Sequence, residues 1–101
     1  MLIRICSWIE WDENKNQSNK QKHKVSFELA QLVFFDENCL TETDFVKDGE
    51  QRWRSIDKIA DNVILFVGHL YQGDASGKEV FRIITARPAT NLEKREYYGN
   101  Y

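Results

Sequence analysis

The chain has 101 residues, which is enough for one small domain with a single hydrophobic core but not for two. Hydrophobic residues make up 42% of it and charged residues 30%, a balance that indicates a globular protein and excludes a disordered one. The formal net charge is −2, so any contact with nucleic acid has to use a local basic surface, whose field salt confines to about 10 Å.

The sequence favours a cytoplasmic protein without a membrane segment. The longest apolar run, Val63 to Val67, is far too short to cross a bilayer. The first residues contain one arginine and no small-residue cleavage site, so we expect no signal peptide. The two cysteines, Cys6 and Cys39, match no metal-ligand spacing, and we expect buried free thiols in a reducing compartment.

The first predicted elements are a strand and a polar helix. Branched and aromatic residues alternate from Leu2 to Trp8, which predicts a short strand. Asp12 is a suitable N-cap for a helix that ends near His23, because its carboxylate can accept a backbone N–H at the positive end of the helix dipole. Donors and cations share one face of this helix and its end: Lys15, Asn19, Lys22, His23 and Lys24. A solvated polar helix would have the same composition. The segment alone therefore does not decide between a functional surface and a solvated connector.

A second helix and a hairpin follow. Ser26 is a suitable N-cap for the helix, which is expected to end near Asp36. Its core-facing residues are expected to be Phe27, Ala30, Val33 and Phe34. Residues 39–45 predict a weak strand at a sheet edge, and a turn over 47–50 joins it to a strand over 51–56. One face of that last strand is expected to carry Trp53 and Ser55, and the other Arg52, Arg54 and Ile56.

Two further strands are predicted. The run from Val63 to Val67 is apolar on both faces, which predicts a strand at the centre of the sheet. A hairpin tip over residues 72–78 joins it to the last strand, over residues 79–87. Strict alternation along this last strand would place Arg82 and Arg87 on opposite faces.

A short helix completes the chain, because Thr90 and Glu93 fit a capping box. Helices therefore come early, strands joined by hairpins follow, and one helix closes the sequence. This order predicts an α+β fold, with a small antiparallel β-sheet, two N-terminal helices and a short C-terminal helix. No linker or internal repeat divides the sequence, so residues 1–101 are expected to form a single domain.

Several separated motifs resemble the BrnT family of ribonuclease toxins. The motifs of the N-terminal third are EWD at residues 10–12, then Lys15, Asn19, Lys22-His23 and VSFE at residues 25–28. EQRWRSI, at residues 50–56, is similar to the E-x-R-W-x-x-I strand of the family. RIITARPATNLE, at residues 82–93, is similar to its closing R-I-I-S-A-R-x-A-T-x-x-E element. Three positions differ from the family: Lys24 and Asp57 stand where glycine is common, and Pro88 where a basic residue is frequent.

The resemblance implies a RelE-like ribonuclease fold and a role as the toxin of a type II toxin–antitoxin system. It implies a BrnA-type antitoxin, encoded next to the toxin, that buries the active face and links the toxin to operator DNA. The implied substrate is RNA, as free or ribosome-associated mRNA, whose cleavage arrests translation. A homodimer and a toxin–antitoxin heterotetramer are both compatible with the resemblance.

Cleavage of RNA requires no nucleophile from the protein, because the 2′-hydroxyl group of RNA serves as the nucleophile. The protein has to align this group with the scissile phosphate and stabilise the developing charge, which requires no metal or cofactor. The expected catalytic residues are Arg52, Arg82 and Arg87 as phosphate ligands, His23 as proton carrier, and Glu50 or Glu93 as a base or as a partner that holds an arginine. The residues expected to bind the RNA are Lys15, Asn19, Lys22, Lys24 and Arg54.

Each assignment has a structural alternative. His23 could simply end the first helix, and Arg82 could form a buried ion pair. Arg87 could pair with Glu93, which also suits its capping box. The remaining alternatives are solvation of Arg54 and Arg95, a hydrogen-bonded histidine at His69, and core-sealing roles for Trp8, Trp11 and Trp53 in place of stacking on bases.

Two other functions would fit the same sequence. The first is a decayed toxin that keeps only antitoxin binding and promoter co-repression. The second is a small RNA-binding protein without toxicity, which would bind RNA in a salt-dependent way and release no products.

Overall fold

A computed structural model describes residues 7–99, which form one sheet with helices packed on both faces. The strands are β1 (Ser7–Trp11), β2 (Leu40–Lys47), β3 (Glu50–Ala60), β4 (Val63–Gly73) and β5 (Glu79–Pro88). The helices are α1 (Glu13–His23), α2 (Phe27–Ala30), its 3-10 continuation (Gln31–Phe35) and α3 (Asn91–Gly99). The strand order is β1-β5-β4-β3-β2, with β4 at the centre. Within the described part of the chain, the helices are all too short or too polar to span a membrane.

The α+β class is confirmed, but the prediction of a purely antiparallel sheet is wrong. β1 runs parallel to β5, with Trp11 opposite Ile83, whereas the other neighbouring pairs are antiparallel. Periodicity predicts a strand but not its partner, and β1 meets β5 only after the helices and hairpins have brought the chain back. Most of the strand predicted over residues 2–8 lies outside the described residues, as does Cys6. Cys39 is a half-buried free thiol, and burial raises its pKa to about 11.

α1 begins and ends where the sequence predicts. The Asp12 carboxylate accepts hydrogen bonds from the backbone N–H groups of Asn14, at 2.8 Å, and Lys15, at 3.3 Å. At the other end, Lys24 adopts the left-handed backbone conformation, with φ of 62°. A side chain in this conformation costs about 1 kcal/mol relative to glycine, so the helix ends there at a small loss of stability.

α2 and its 3-10 continuation cover one face of the sheet, which we call the helix face. The Ser26 hydroxyl accepts a hydrogen bond from the Leu29 N–H at 3.0 Å, which confirms the predicted N-cap. The four predicted core residues of this segment, Phe27, Ala30, Val33 and Phe34, are all buried. They pack against Leu65 and Val67 of β4 and against Phe81, Ile83 and Ala86 of β5.

α3 packs on the opposite face over a second, smaller cluster. This cluster consists of Ile56, Ile64, Phe66, Ala89 and Tyr97. Because β4 supplies residues to both clusters, its predicted central position is confirmed. The capping box is confirmed as well: the Thr90 N–H donates to the Glu93 carboxylate at 2.9 Å, and the Glu93 N–H donates to the Thr90 hydroxyl at 3.2 Å.

A bulge changes the faces of β5. The register with β4 shifts between Gly68 and His69, so one residue of β5 is extra at that point. The residues of β5 that pack under the helices are Phe81, Ile83 and Ala86. The alternation therefore reverses after Ile83, and the prediction that Arg82 and Arg87 lie on opposite faces is wrong. Both arginines lie on the face opposite the helix face.

Candidate functional site

Arginines gather on the sheet face that α1 and α2 do not cover. β3 contributes Arg52 and Arg54, which alternate with the Trp53 and Ser55 of the helix face as predicted. β5 contributes Arg82 and Arg87 once the bulge has turned Arg87 to this side. We call these four residues, Arg52, Arg54, Arg82 and Arg87, the arginine face.

A glycine, Gly68 of β4, lies between the two strands that carry the arginines. Arg54 of β3 pairs with Gly68 of β4, which pairs with Thr85 of β5. Adjacent strands lie about 4.8 Å apart, so the backbones of Arg54 and Thr85 are separated by about 10 Å across a residue without a side chain. A Cβ atom at Gly68 would meet Thr85 Cγ2 at 2.8 Å, so a larger residue would displace Thr85. The methyl group of Thr85 fills the space above Gly68, so the glycine allows close packing between the strands that carry the arginines.

Carboxylates hold three of the four arginines. Arg54 donates to Glu42 through Nε, at 3.0 Å, and to Glu96 through Nη2, at 2.9 Å. These contacts, the Glu42 hydrogen bond first, raise the pKa of Arg54. Arg82 Nη1 lies 3.7 Å from the Glu10 carboxylate, a looser pair that is about two-fifths exposed. The expectation that Arg54 is solvated is therefore wrong, because the sheet register places Glu42 directly opposite it.

Arg87 and Glu93 form a bidentate ion pair, which was the structural alternative to a role of Arg87 as a phosphate ligand. Arg87 Nη1 and Nη2 donate to the two oxygens of Glu93 at 2.7 and 2.9 Å. The guanidinium also lies over the Phe66 ring, 4.0 Å from its centroid. The hydrogen bond to Arg87 lowers the pKa of Glu93 despite its burial, so Glu93 is ionised at neutral pH and serves as both cap and ion-pair partner. Glu93 is thereby committed to structure and is a poor candidate for a base.

Arg52 differs from its neighbours on the arginine face. It forms no ion pair with any residue in the described range 7–99. Its Nε is buried and donates to no acceptor there. A buried guanidinium donor without an acceptor costs free energy that an anionic ligand would recover. Arg52 is therefore the arginine of this face that no carboxylate of residues 7–99 holds.

Glu50 and Arg82 line the same groove, of about 530 Å³, which lies near the first residues of β3. Glu10, Leu70 and Tyr71 contribute to its walls. The side chain of Glu50 is exposed and, unlike that of Glu93, forms no hydrogen bond or ion pair that the structure of residues 7–99 shows. Of the two carboxylates considered as a base, the structure leaves Glu50 available.

α1 forms a second groove, of about 340 Å³, against β5. Its lining is Asp12, Asn14, Lys15, Ser18, Asn19, Lys22, His23, Ile84 and Thr85. The predicted sharing of one surface by Lys15, Asn19, Lys22 and His23 is confirmed. Among these described residues there is no arginine, so His23 does not share this groove with the arginine face. The two surfaces adjoin at Thr85, which lines the groove and borders Gly68.

The Asn19 side chain joins the two walls of this groove through hydrogen bonds, and its amide group is not free. Its Nδ2 donates to the carbonyl groups of Val25, at 2.8 Å, and Ala86, at 2.7 Å. Its Oδ1 accepts from the Ala86 N–H, at 3.1 Å, and from the Thr85 hydroxyl, at 3.3 Å. The side chain is buried and its amide is fully used, so Asn19 fixes α1 to β5 and has no free amide group to offer a ligand. The polar character of the segment concealed this role from sequence reasoning.

Other candidates have structural roles. His69 is buried, and its Nε2 lies 2.8 Å from the Ser55 hydroxyl, as the core-histidine alternative requires. Burial lowers the pKa of His69 to about 4, so it is neutral at pH 7. Trp11 and Trp53 make edge contacts with Phe27 and Tyr71 respectively. Trp8, in contrast, is 63% exposed and does not seal the core.

The partners of the arginines were missed by sequence reasoning. A symmetric hairpin about the turn at residues 48 and 49 would place Arg54 opposite Thr43, but the register shift between Thr43 and Val46 brings Glu42 there instead. Glu96 and Glu10 reach the arginine face from α3 and β1, which are remote in sequence. Of these partners, only Glu93 belongs to a local sequence motif, the capping box. That motif predicts the start of α3 and not the ion pair with Arg87.

Comparison with known proteins supports the family suggested by the motifs. Residues 11–93 match the family model described as ribonuclease toxin, BrnT, of type II toxin–antitoxin system. The crystal structure of the Brucella abortus ribonuclease toxin BrnT matches with 24% sequence identity and a TM-score of 0.57, covering 84% of this chain and 97% of that chain. No curated protein matches this chain. The family model spans most of the chain and both sequence segments that form the arginine face, so this protein belongs to the BrnT family of ribonuclease toxins of type II toxin–antitoxin systems.

Proposed function

We propose that this protein is a metal-independent endoribonuclease toxin that cleaves RNA, arrests translation and is neutralised by a BrnA-type antitoxin. The observation that carries the proposal is Arg52, a guanidinium with a buried donor and no carboxylate partner on a face where the other arginines are paired. Family membership supports this reaction class, and the donors of the arginine face support the proposal that a phosphodiester binds there.

The proposed reaction is attack of the 2′-hydroxyl oxygen on the adjacent phosphorus. The bond from the 2′-oxygen to phosphorus forms and the bond from phosphorus to the 5′-oxygen breaks, which leaves a 2′,3′-cyclic phosphate and a free 5′-hydroxyl. The base takes the proton of the 2′-hydroxyl, and an acid protonates the departing 5′-oxygen. Glu50 is proposed as the base, because Glu93 is committed to Arg87. His23 lines a different groove from Glu50 and Arg82, so it is proposed to contact the RNA beside Lys22 rather than to transfer a proton.

Phosphate stabilisation is assigned to the arginine face. Arg52 and Arg82 are proposed to bind the non-bridging oxygens, on which negative charge develops in the transition state. Arg54 and Arg87 are held in place by Glu42, Glu96 and Glu93, so they would act as oriented dipoles and secondary contacts. Lys15, Lys22 and Lys24 would bind the RNA backbone beyond Thr85, where α1 meets the face.

One observation favours the rival function, a non-catalytic module that binds its antitoxin and co-represses the operon. Four carboxylates, those of Glu10, Glu42, Glu93 and Glu96, neutralise three arginines that a phosphate would otherwise occupy. A toxin that has lost its substrate would tolerate such pairing. The two functions differ in whether the purified protein releases RNA products.

The test is cleavage of RNA by the purified protein in the presence of EDTA. We expect wild type to cleave, and Arg52→Gln to lower kcat/KM by about 10²–10³-fold because a transition-state donor is lost. Arg95→Gln, which changes an exposed arginine of α3, is the matched control and should stay within about twofold of wild type. Undiminished cleavage by Arg52→Gln would place the site elsewhere. Intact RNA with folded wild type, with and without added ribosomes, would refute the nuclease. Salt-dependent binding of that RNA would then distinguish an RNA-binding protein from the interaction module.

A further inference from the structure

The outer surface of the helical layer carries an apolar stripe. Leu29, Leu32 and Phe35 project from α2 and its continuation at three-residue spacing and are 40%, 46% and 70% exposed. Leu32 and Phe35, with Ile59 of β3, line a groove of about 820 Å³. Contiguous exposed apolar side chains in a soluble protein mark sites of protein interaction.

The same groove contains an acidic pair, Asp57 and Asp36. Asp57 is 1% exposed, and its Oδ1 accepts a hydrogen bond from the Tyr97 hydroxyl at 3.2 Å. Its Oδ2 is buried and receives no hydrogen bond from residues 7–99. The carboxyl group of Asp36 lies within hydrogen-bonding distance of Asp57 and helps to raise its pKa, and Glu37 also lines the groove. A buried carboxylate oxygen beside a like charge is unfavourable until a donor or cation reaches it.

The cation on the groove wall does not meet this need. Lys58 lines the groove, but its ammonium group lies 3.9 Å from the carboxylate of Asp61. The Asp61 side chain is fully exposed to solvent, so Lys58 pairs with a carboxylate outside the groove. The groove therefore combines apolar walls, formed by Leu32, Phe35 and Ile59, with an acidic centre formed by Asp36, Glu37 and Asp57. Its chemistry is complementary to a lysine or arginine side chain with apolar neighbours, and opposite to the chemistry that the arginine face would recognise.

We propose that this groove is a docking site for the antitoxin, and that it receives an antitoxin segment in which a lysine or arginine is flanked by apolar side chains. The cation binds between Asp57 and Asp36, and the apolar side chains pack on Leu32, Phe35 and Ile59. The inference rests on the proposed function for the existence of this partner. It goes further in placing an anchor on the helix side of the molecule, separate from any part of the antitoxin that covers the arginine face.

The experiment measures the Kd between purified toxin variants and the protein encoded by the reading frame beside the toxin gene, by isothermal titration calorimetry. The double variant Leu32→Glu, Phe35→Glu should raise Kd at least about tenfold, and its exposed positions should leave the fold intact. Asp57→Asn should raise Kd at least about threefold, because an amide cannot pair with the cation. Leu92→Glu, on the exposed side of α3, is the matched control and should stay within about twofold.

An unchanged Kd in the Leu32→Glu, Phe35→Glu variant overturns the inference. So does a result in which this variant alters only self-association, seen by ultracentrifugation, since the stripe would then join two copies of the chain. RNA cleavage by the free variants separates the two proposals. Groove variants that cleave RNA normally but bind antitoxin weakly support the docking site, whereas wild type that binds through the groove but leaves RNA intact refutes only the nuclease.

Discussion

Asp57 shows how the surroundings of one residue change its chemistry. Burial, and then the neighbouring Asp36 carboxylate, raise the pKa of Asp57 to about 7, while the hydrogen bond from Tyr97 acts in the opposite direction. In the unfolded chain the carboxyl group is solvated and titrates near 3.8. Between these two values the folded protein keeps a proton that the unfolded chain has released. A residue at this position that does not titrate, such as the glycine common in the family, would avoid this penalty.

The pH dependence of stability follows from this difference. Asp57 contributes most to stability below pH 3.8, and this contribution is lost as pH rises through about 7, because ionisation favours the unfolded chain. Asp57→Asn removes the titration. Relative to wild type, the variant should therefore gain at least about 1 kcal/mol in free energy of unfolding between pH 4 and pH 8.

Urea unfolding of both proteins at the two pH values measures this gain. Asp61→Asn, at a solvated carboxylate in the turn after β3, is the matched control and should show no such gain. If the difference between Asp57→Asn and wild type is the same at both pH values, Asp57 does not titrate in this range.

At the scale of the element, α1 is a helix without an apolar face. Its sequence, ENKNQSNKQKH, contains no hydrophobic residue, so burial of apolar surface cannot hold it to the sheet. Two buried asparagines do so instead. Asn16 accepts the Phe27 N–H at 2.8 Å and donates to Glu28 at 2.8 Å, and Asn19 bonds to Val25 and Ala86. The cationic groove depends on hydrogen bonds rather than on hydrophobic packing.

Removal of one of these amides should therefore destabilise the protein strongly. Asn19→Ala leaves the N–H and carbonyl of Ala86 and the carbonyl of Val25 without their partners in a buried place. We expect the free energy of unfolding to fall by about 3 kcal/mol. Urea unfolding measures the loss, and Asn14→Ala, an exposed amide of the same helix, should change it by less than about 0.5 kcal/mol. Equal effects of the two variants would contradict a clamping role for Asn19.

At the scale of the whole molecule, the fold separates charges that the sequence mixes. The net charge is −2, yet the arginine face and the lysines of α1 adjoin at Thr85. The groove with Asp36, Glu37 and Asp57 lies at the other side, between the helical layer and β3. Because screening limits each field to about 10 Å, two partners of opposite charge can bind one small domain at different surfaces.

Salt dependence tests this separation. Binding of an uncleavable RNA analogue should weaken with salt, because each neutralised phosphate releases counterions. Arg52→Gln should reduce the slope of log affinity against log salt concentration by about 0.7, the contribution of one phosphate contact on a single strand. Arg95→Gln should leave the slope unchanged. A slope that Arg52→Gln does not alter would mean that Arg52 contacts no phosphate.

Local chemistry decided much of the fold. Asp12, Ser26 and the pair Thr90–Glu93 cap their helices as predicted, because a cap acts on backbone groups within about three residues. The turn at residues 47–50 and the apolar run of β4 are similarly short-range signals. Their outcome does not depend on which strands finally become neighbours, and this is why sequence reasoning could find them.

The candidate site was only partly accessible from sequence. Its residue types and motifs identified the arginines, His23 and the lysines, since such groups suit a phosphate wherever they lie. Their arrangement was decided by the tertiary structure: one bulge brought Arg82 and Arg87 to the same face, and sheet register gave Arg54 its partner Glu42. The parallel pairing of β1 with β5 and the burial of Asp57 were decided in the same way. The physical reason is that strand register and burial depend on contacts between residues far apart in the chain, which no local pattern encodes.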